Sequence, residues 1–448
     1  MKVPHIVIIG AGFAGLRCAQ GLAKAQAQVT VIDRVNHHLV QPLLYQVATA
    51  GLSPAQIATP VRSVLRKQSN TEVLLGEAKG IDTARREVLV TLPIGRSGSG
   101  EGSAHPYPLP TTGEGTLGIE ERRVAYDYLV VATGSRYNCF AHPEWERQAP
   151  SLKTVQDALR IRASILLAFE SAELEQDPAL QRALLTIAVV GGGPTGVEMA
   201  GAIAELAHHT LTRDFRHIEP AKARVVLIEA GPRILAALPE RLATKALERL
   251  ERLGVEVRTG ARVEQIMPDG VTISGERIGA RTVLWAAGVA ASPVGRLLDA
   301  ECDRSGRVLV GVDLSLPKHP EVFVLGDTAL VAGRDGKPLP GVAPVAMQEG
   351  NYASKVIRAR LKGSPTPPGF RYRNMGNLAT VGRAYAVADL GAVKVAGLFA
   401  WLLWLFVHIL YLIGFRNKLT VMIEWAWAYV TYERGARLIT DQALAADP

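Results

Sequence analysis

The chain has 448 residues, 48% of them hydrophobic, so it is too long for one ordinary core, suits two or three domains, and is not disordered throughout. A formal net charge of +8 and a pI near 9.4 leave two readings, a solvated arginine-rich surface or attraction to an anionic lipid surface. No basic run is interleaved with aromatics, which excludes nucleic acid as a partner, and the widely spaced Cys18, Cys139 and Cys302 form no CxxC, so no metal centre and no dithiol pair is signalled.

In chain order, His5–Ile9 is an apolar run followed by a helical pattern through Lys24 and a second apolar run, Gln28–Ile32. This strand, helix, strand order is the unit of a doubly wound sheet. Residues 95–118, rich in Gly, Ser, Pro and Thr, read as a long surface loop or hairpin tip inserted into the first domain. Gln156–Gln176 is an amphipathic helical pattern, and Asp177–Pro178 marks its end. The strand, helix, strand order then recurs from Thr186–Val190 to Arg224–Ile228. Near the end, Leu398–Phe415 contains only His408 as a group that titrates near neutral pH, Asn417–Lys418 interrupts it, and Leu419–Tyr432 is again apolar and aromatic. Four of the six tryptophans, Trp401, Trp404, Trp425 and Trp427, fall in these last two runs.

Each repeated unit carries a glycine loop. The first is Gly10-Ala11-Gly12-Phe13-Ala14-Gly15. Gly10 permits the turn out of the strand, Gly12 lets a pyrophosphate approach the backbone, and Gly15 lets the helix pack close to the sheet. Asp33 ends the second strand, near the distance at which a carboxylate grips ribose hydroxyls. The second loop is Gly191-Gly192-Gly193-Pro194-Thr195-Gly196. Its acid, Glu229, comes later than usual, so the helix is expected to run past Leu206 into an inserted segment, His208–Pro220. A carboxylate there favours the free 2′-hydroxyl of NADH, while nearby Arg233 leaves NADPH open. Two such loops need two dinucleotides, and the natural pairing is a non-covalently held flavin, FAD, with an exchangeable nicotinamide, NADH.

With these motifs in place, the chain resembles the two-dinucleotide flavoproteins related to disulfide reductases, and within them the type II NADH dehydrogenases (NADH:quinone oxidoreductases). The wider resemblance includes Ala132-Thr133-Gly134, Ala286-Ala287-Gly288 and Val322-Phe323-Val324-Leu325-Gly326-Asp327. It implies cofactor contacts from Thr133, Gly134, Ala287, Gly288 and Gly326, with Asp327 at the flavin ribityl chain. The narrower resemblance lies in Gln41–Pro54, which includes Gln46 and implies a segment running beside the flavin. It lies also in Ala343-Pro344-Val345-Ala346-Met347-Gln348, similar to the family's quinone motif. Ala346 and Gln348 follow that motif, whereas Pro344 stands where a polar residue is usual. Glu198 matches a family acid beside nicotinamide and flavin, and its other reading is a first-turn acid stabilised by the helix dipole.

The expected fold is α/β, with two Rossmann-like dinucleotide-binding domains and a C-terminal helical membrane-binding region. Residues 1–155 and 289–370 would form the FAD domain, 156–288 the NADH domain, and 371–448 the membrane anchor. As one helix, Leu398–Phe415 would be about 27 Å long, just enough for a span, but its internal tryptophans suit a helix lying in the headgroup layer. Lys394, Arg416 and Lys418 would then meet lipid phosphates on the cytoplasmic face of a bacterial inner membrane, as a peripheral or monotopic protein. A buried core helix or a homodimer interface competes for the same apolar surface. The activity implied is hydride transfer from NADH to FAD and on to membrane quinone without proton pumping. Sulfide:quinone oxidation, or a flavoprotein that answers NADH without turnover, stays open beside it.

Overall fold

The computed structural model describes residues 2–94, 118–140, 142–431 and 433–439. They form two units, one of the described residues within 1–38, 60–136 and 289–374, the other of those within 39–59, 137–288 and 375–448. The helices that bear on the site are α1 (Phe13–Gly21), α2 (Leu44–Ala48), α3 (Val155–Leu174), α4 (Pro194–Glu205), α5 (Ala343–Leu361), α6 (Leu398–Tyr411) and α7 (Phe415–Thr431).

The first unit is built on a six-stranded sheet in the order Ser315–Leu316, His319–Val324, Tyr128–Val131, His5–Ile9, Gln28–Asp33, Thr71–Leu75. All neighbours pair parallel except Ser315–Leu316, which runs antiparallel at the edge. Val, Ile and Leu fill these strands because both faces are covered, as parallel sheets require. Beside the sheet, Glu87–Ile94 and Gly118–Ala125 pair antiparallel up to Ile94 opposite Gly118. The loop or hairpin tip expected between them lies, apart from Gly118, outside the described residues.

The second unit repeats the plan with four parallel strands ordered Val255–Arg258, Arg224–Ile228, Thr186–Val190, Thr282–Trp285. An antiparallel sheet of Asn377–Thr380, Ala386–Asp389 and Lys394–Gly397 belongs to the same unit and leads into α6.

Several helix boundaries differ from the sequence reading. Asp177–Pro178 does not merely end a helix: α3 stops at Leu174, and Asp177 caps a new helix, Pro178–Leu184, by accepting the Ala179 N–H at 2.9 Å. Beyond α4 the expected continuation is a π-helical turn, Leu206–Thr210, followed by 3-10 turns at Leu211–Arg213 and Pro220–Lys222. At the C-terminus the break falls earlier than Asn417–Lys418. Gly414 takes φ +89°, a left-handed conformation that ends the run, and Asn417 and Lys418 sit inside α7. The 14 residues of α6 therefore span only about 21 Å, and among the described residues no helix is long and apolar enough to cross a membrane.

Candidate functional site

In an open α/β sheet, ligands bind beyond the strand ends where the chain order reverses. In the first unit that point lies between His5–Ile9 and Tyr128–Val131, so Gly10 and Ala132-Thr133-Gly134 meet there. The fit is so tight that a Cβ on Gly10 (φ +101°) would stand 2.4 Å from the Ala132 carbonyl oxygen. One on Gly15 would stand 1.8 Å from the Gly10 oxygen, so α1 presses against the loop. A Cβ on Gly12, in contrast, would meet nothing within 4 Å: the position is open toward whatever the loop holds.

Around this opening the first unit gathers most of its expected cofactor residues. Gly326 (φ +68°) faces Ala14 of α1 and Ala346 of α5, both 3.6 Å from where its Cβ would be. The Thr328 hydroxyl donates to the Gly134 oxygen at 3.1 Å and lies 3.3 Å from the Thr133 hydroxyl. Ser135 donates to Asp327 Oδ2 at 2.5 Å, and Phe13 packs edge-on against His38. Asp33 accepts N–H bonds from Ala11 at 2.6 Å and Val35 at 2.9 Å, so it braces the loop itself. Sequence reasoning missed Glu349 of α5, a buried carboxyl that accepts the Gly326 N–H at 2.5 Å. Burial, aided by Asp327, pushes its pKa up to about 8. Its only sequence signal is a position directly after the Gln348 motif. Gln348 clamps the Arg373 backbone, donating to its oxygen at 2.9 Å and accepting its N–H at 3.0 Å.

The second unit reverses order between Thr186–Val190 and Thr282–Trp285, bringing Gly191 to Ala286-Ala287-Gly288. A Cβ on Gly191 (φ +112°) would stand 2.8 Å from the Ala286 backbone, and Gly196 repeats the closeness of Gly15 at 1.8 Å. Gly193, like Gly12, is open, while Pro194 and Thr195 are exposed at the start of α4. That helix end offers unpaired N–H groups and a partial positive charge to phosphate. Glu229 repeats the bracing role, accepting N–H bonds from Gly192 and Gly231 at 2.6 Å each. Arg233 is spent locally, on the carbonyl oxygens of Leu238 and Ala236, both at 2.9 Å. Gly288 (φ +72°) ends this rim, with Phe140 packed where a Cβ would be.

From the second loop α4 carries Glu198 into a chamber within the same unit. Trp401 and Trp404 of α6, Trp425 and Tyr429 of α7, and Tyr45 of α2 form much of its wall. Glu198 is buried, and desolvation raises its pKa to about 8. The Thr380 N–H at 3.4 Å offsets this in part, as does the Trp404 indole, which lies close without completing a well-formed hydrogen bond. At neutral pH this carboxyl keeps its proton among aromatic side chains, unlike a solvated acid stabilised by the helix dipole. Gln46, expected beside a flavin, sends its side chain to Trp425 and Tyr45.

The chamber's lining includes an ion pair that the sequence did not announce. Arg434 donates to Glu205 at 3.3 Å, to the Thr49 oxygen at 2.8 Å and to the Ala202 oxygen at 3.2 Å. On α6, Ala400, Trp404 and His408 point inward at helical spacing. His408 stacks on Trp404, its ring centre 4.1 Å away, and burial lowers its pKa to about 4, so it is neutral. The opposite faces of α6 and α7 expose Phe399, Leu402, Phe406, Phe415, Ile423 and Trp427.

The comparisons with known proteins agree with this geometry. Residues 4–350 match the family model described as pyridine nucleotide-disulphide oxidoreductase, and residues 374–431 match the NDH2 C-terminal domain. Two type II NADH:quinone oxidoreductases of Mycobacterium tuberculosis are similar over almost the whole chain. One is 43% identical, covering 98% of this chain and 90% of the relative; the other is 41% identical, covering 99% and 90%. Among solved structures, NDH2 from Plasmodium falciparum in complex with NADH superimposes with a TM-score of 0.83 at 19% identity, covering 98% of this chain and 100% of that one, a likeness of fold. The chain belongs to the type II NADH:quinone oxidoreductases, within the pyridine nucleotide-disulphide oxidoreductase family.

Proposed function

We propose that the protein is a non-pumping NADH:quinone oxidoreductase, with FAD held by the first glycine loop, NADH by the second, and the quinone head group in the aromatic chamber. The observation that carries this reading is the course of α4. One helix presents its N-terminus at a dinucleotide loop and, one turn later, a protonated carboxyl in an aromatic-walled chamber. When bound, FAD supplies the redox chemistry, taking a hydride from NADH and giving two electrons to quinone.

The residues of the chain have separate tasks. Gly10, Gly12, Phe13, Ala14 and Gly15 form the flavin loop, braced by Asp33, with Thr133, Gly134, Gly326, Asp327 and Ala346 around its opening. Gly191, Gly193, Pro194, Thr195 and Gly196, braced by Glu229, form the nicotinamide-nucleotide loop, with Ala287 and Gly288 at its rim. With Arg233 occupied by backbone carbonyls, that cation is not free for a 2′-phosphate, which favours NADH over NADPH. Glu198 holds a proton for the reduced quinone, and the tryptophan walls exclude water around it. Gln348 acts at the edge of its motif by fixing the Arg373 backbone.

The exposed apolar faces of α6 and α7 suit a peripheral seat on the cytoplasmic face of a bacterial membrane, with Lys394 and Arg416 exposed for anionic headgroups. A quinone dissolved in lipid would reach the enzyme there. The sulfide-oxidising alternative needs reactive thiols, and the three cysteines do not offer them. Burial pushes Cys18 up to about 12, and it also raises Cys139 and Cys302.

The reading is tested by assaying NADH oxidation with a short-tail quinone in anionic vesicles. NADH should support turnover, sulfide should not replace it, and the vesicle lumen should show no proton uptake. Sulfide-driven turnover, or proton translocation that tracks turnover, would overturn it.

A further inference from the structure

A hydrogen-bond relay crosses the chamber wall, and donor chemistry sets its direction. The Trp425 indole donates to Gln46 Oε1 at 2.6 Å. An indole nitrogen only donates, so the Gln46 oxygen must face it and the Gln46 amide nitrogen must face the other way. That nitrogen donates to the Tyr45 hydroxyl oxygen at 3.0 Å. Tyr45 is 7% exposed and must still place its own proton, since buried hydroxyls are rarely left without an acceptor. Thr380 Oγ1 lies 3.1 Å away and takes it. Thr380 cannot then donate back to Tyr45, so its own hydroxyl proton is free for another acceptor, and Thr380 lines the chamber. The Thr380 N–H, meanwhile, is committed to Glu198 Oε1.

We infer that Trp425, Gln46 and Tyr45 are positioning residues that fix Thr380 as a hydrogen-bond donor to a carbonyl oxygen of the chamber's occupant. The inference rests on the reading that a quinone enters this chamber. It adds that recognition of the carbonyl is set from α7, where the relay begins, through α2 to the strand Asn377–Thr380. Beside Thr380, the neutral carboxyl of Glu198 is a second donor, so the chamber offers two donors where a quinone ring presents acceptors.

The direction can be reversed with little change of shape. In Gln46→Glu the introduced carboxylate only accepts, so Tyr45 donates to it and Thr380 must donate to Tyr45, away from the chamber. Gln46→Met breaks the relay without imposing a direction. With ubiquinone-1 as the probe and flavin content matched, Kd is read from quenching of tryptophan fluorescence without NADH, and KM from turnover. Both constants should rise about threefold for Gln46→Met and about tenfold for Gln46→Glu, the scale of one lost neutral hydrogen bond. In a Tyr45→Phe background the two substitutions should become equal. Equal effects in the unaltered background, or a gap that survives Tyr45→Phe, would overturn the inference while leaving the chamber's occupant in place. Failure of ubiquinone-1 to quench the unmodified protein would instead remove the chamber reading, and this inference with it.

Discussion

The two glycine loops use one hydrogen-bond plan. In the first, Gly10 N–H bonds Ile32 O at 2.8 Å and Asp33 braces Ala11; in the second, Gly191 N–H bonds Ile228 O at 2.7 Å and Glu229 braces Gly192. The helices that leave the two loops are packed differently. The helix after the first, α1, is pressed against α5 so closely that a Cβ on Gly350 would stand 2.2 Å from the Ala14 oxygen. The helix after the second, α4, leaves Pro194 and Thr195 exposed and then turns Glu198 into the chamber. The first loop's helix is thus backed closely by a second helix, whereas the second loop's helix carries a buried carboxyl one turn from its start.

The largest effect should separate the loops at their first glycines. Gly10→Ala places a methyl against the Ala132 oxygen in a left-handed backbone, and purified protein should lose at least nine-tenths of its flavin absorbance. Gly191→Ala makes the equivalent clash in the second loop, but it should keep its flavin and raise KM for NADH about tenfold or more. If both variants lose flavin equally, the assignment of the loops to different ligands fails.

Next in size is Glu198→Gln, which keeps shape and burial but removes the proton. Quinone turnover should fall about a hundredfold, the usual scale for loss of a positioned acid, with flavin content retained. The unmodified enzyme should lose turnover as pH rises through about 8, where Glu198 ionises, and the variant should not show that limb. An unchanged kcat in the variant would reduce Glu198 to a wall residue.

A smaller change is expected from Glu229→Gln, whose single acceptor oxygen can brace only one of Gly192 and Gly231. KM for NADH should rise about fivefold to tenfold, and the preference over NADPH should narrow. The corresponding Asp33→Asn change should act on flavin retention instead.

The smallest effect is on stability. Glu198 and Glu349 have ordinary values of 4.5 that folding raises to about 8. Between those limits the folded chain holds protons that the unfolded chain has released, so stability should fall as pH rises from about 4.5 to 8. Thermal melts of Glu349→Gln should show a shallower slope over that window. A slope unchanged in Glu198→Gln and Glu349→Gln alike would mean that neither carboxyl keeps its proton in the fold.

Much of the fold was legible in the residues because local rules set it. The strands His5–Ile9 and Thr186–Val190 and the tight turns at Gly10 and Gly191 follow from apolar runs and left-handed glycines within short stretches of chain, whereas the bracing of each loop by Asp33 or Glu229 did not. The chamber was not legible in the same way. Its wall joins Tyr45, Glu198, Thr380 and Trp425, which are far apart in sequence, and no periodicity announces that they meet. The pairing of Arg434 with Glu205 was hidden for the same reason, since each alone reads as an ordinary surface charge. The end of α6 is set by Gly414, whose left-handed backbone makes the turn, and not by the polar pair Asn417–Lys418, which sits inside α7.

The most direct measurement is an anaerobic titration of the purified protein followed by its flavin absorbance. Stoichiometric NADH should bleach the yellow band within a turnover time, and a short-tail quinone should restore it. A protein that stays colourless with excess flavin, or bleaches and is not reoxidised by any quinone, would contradict the assignment of the two loops and the chamber.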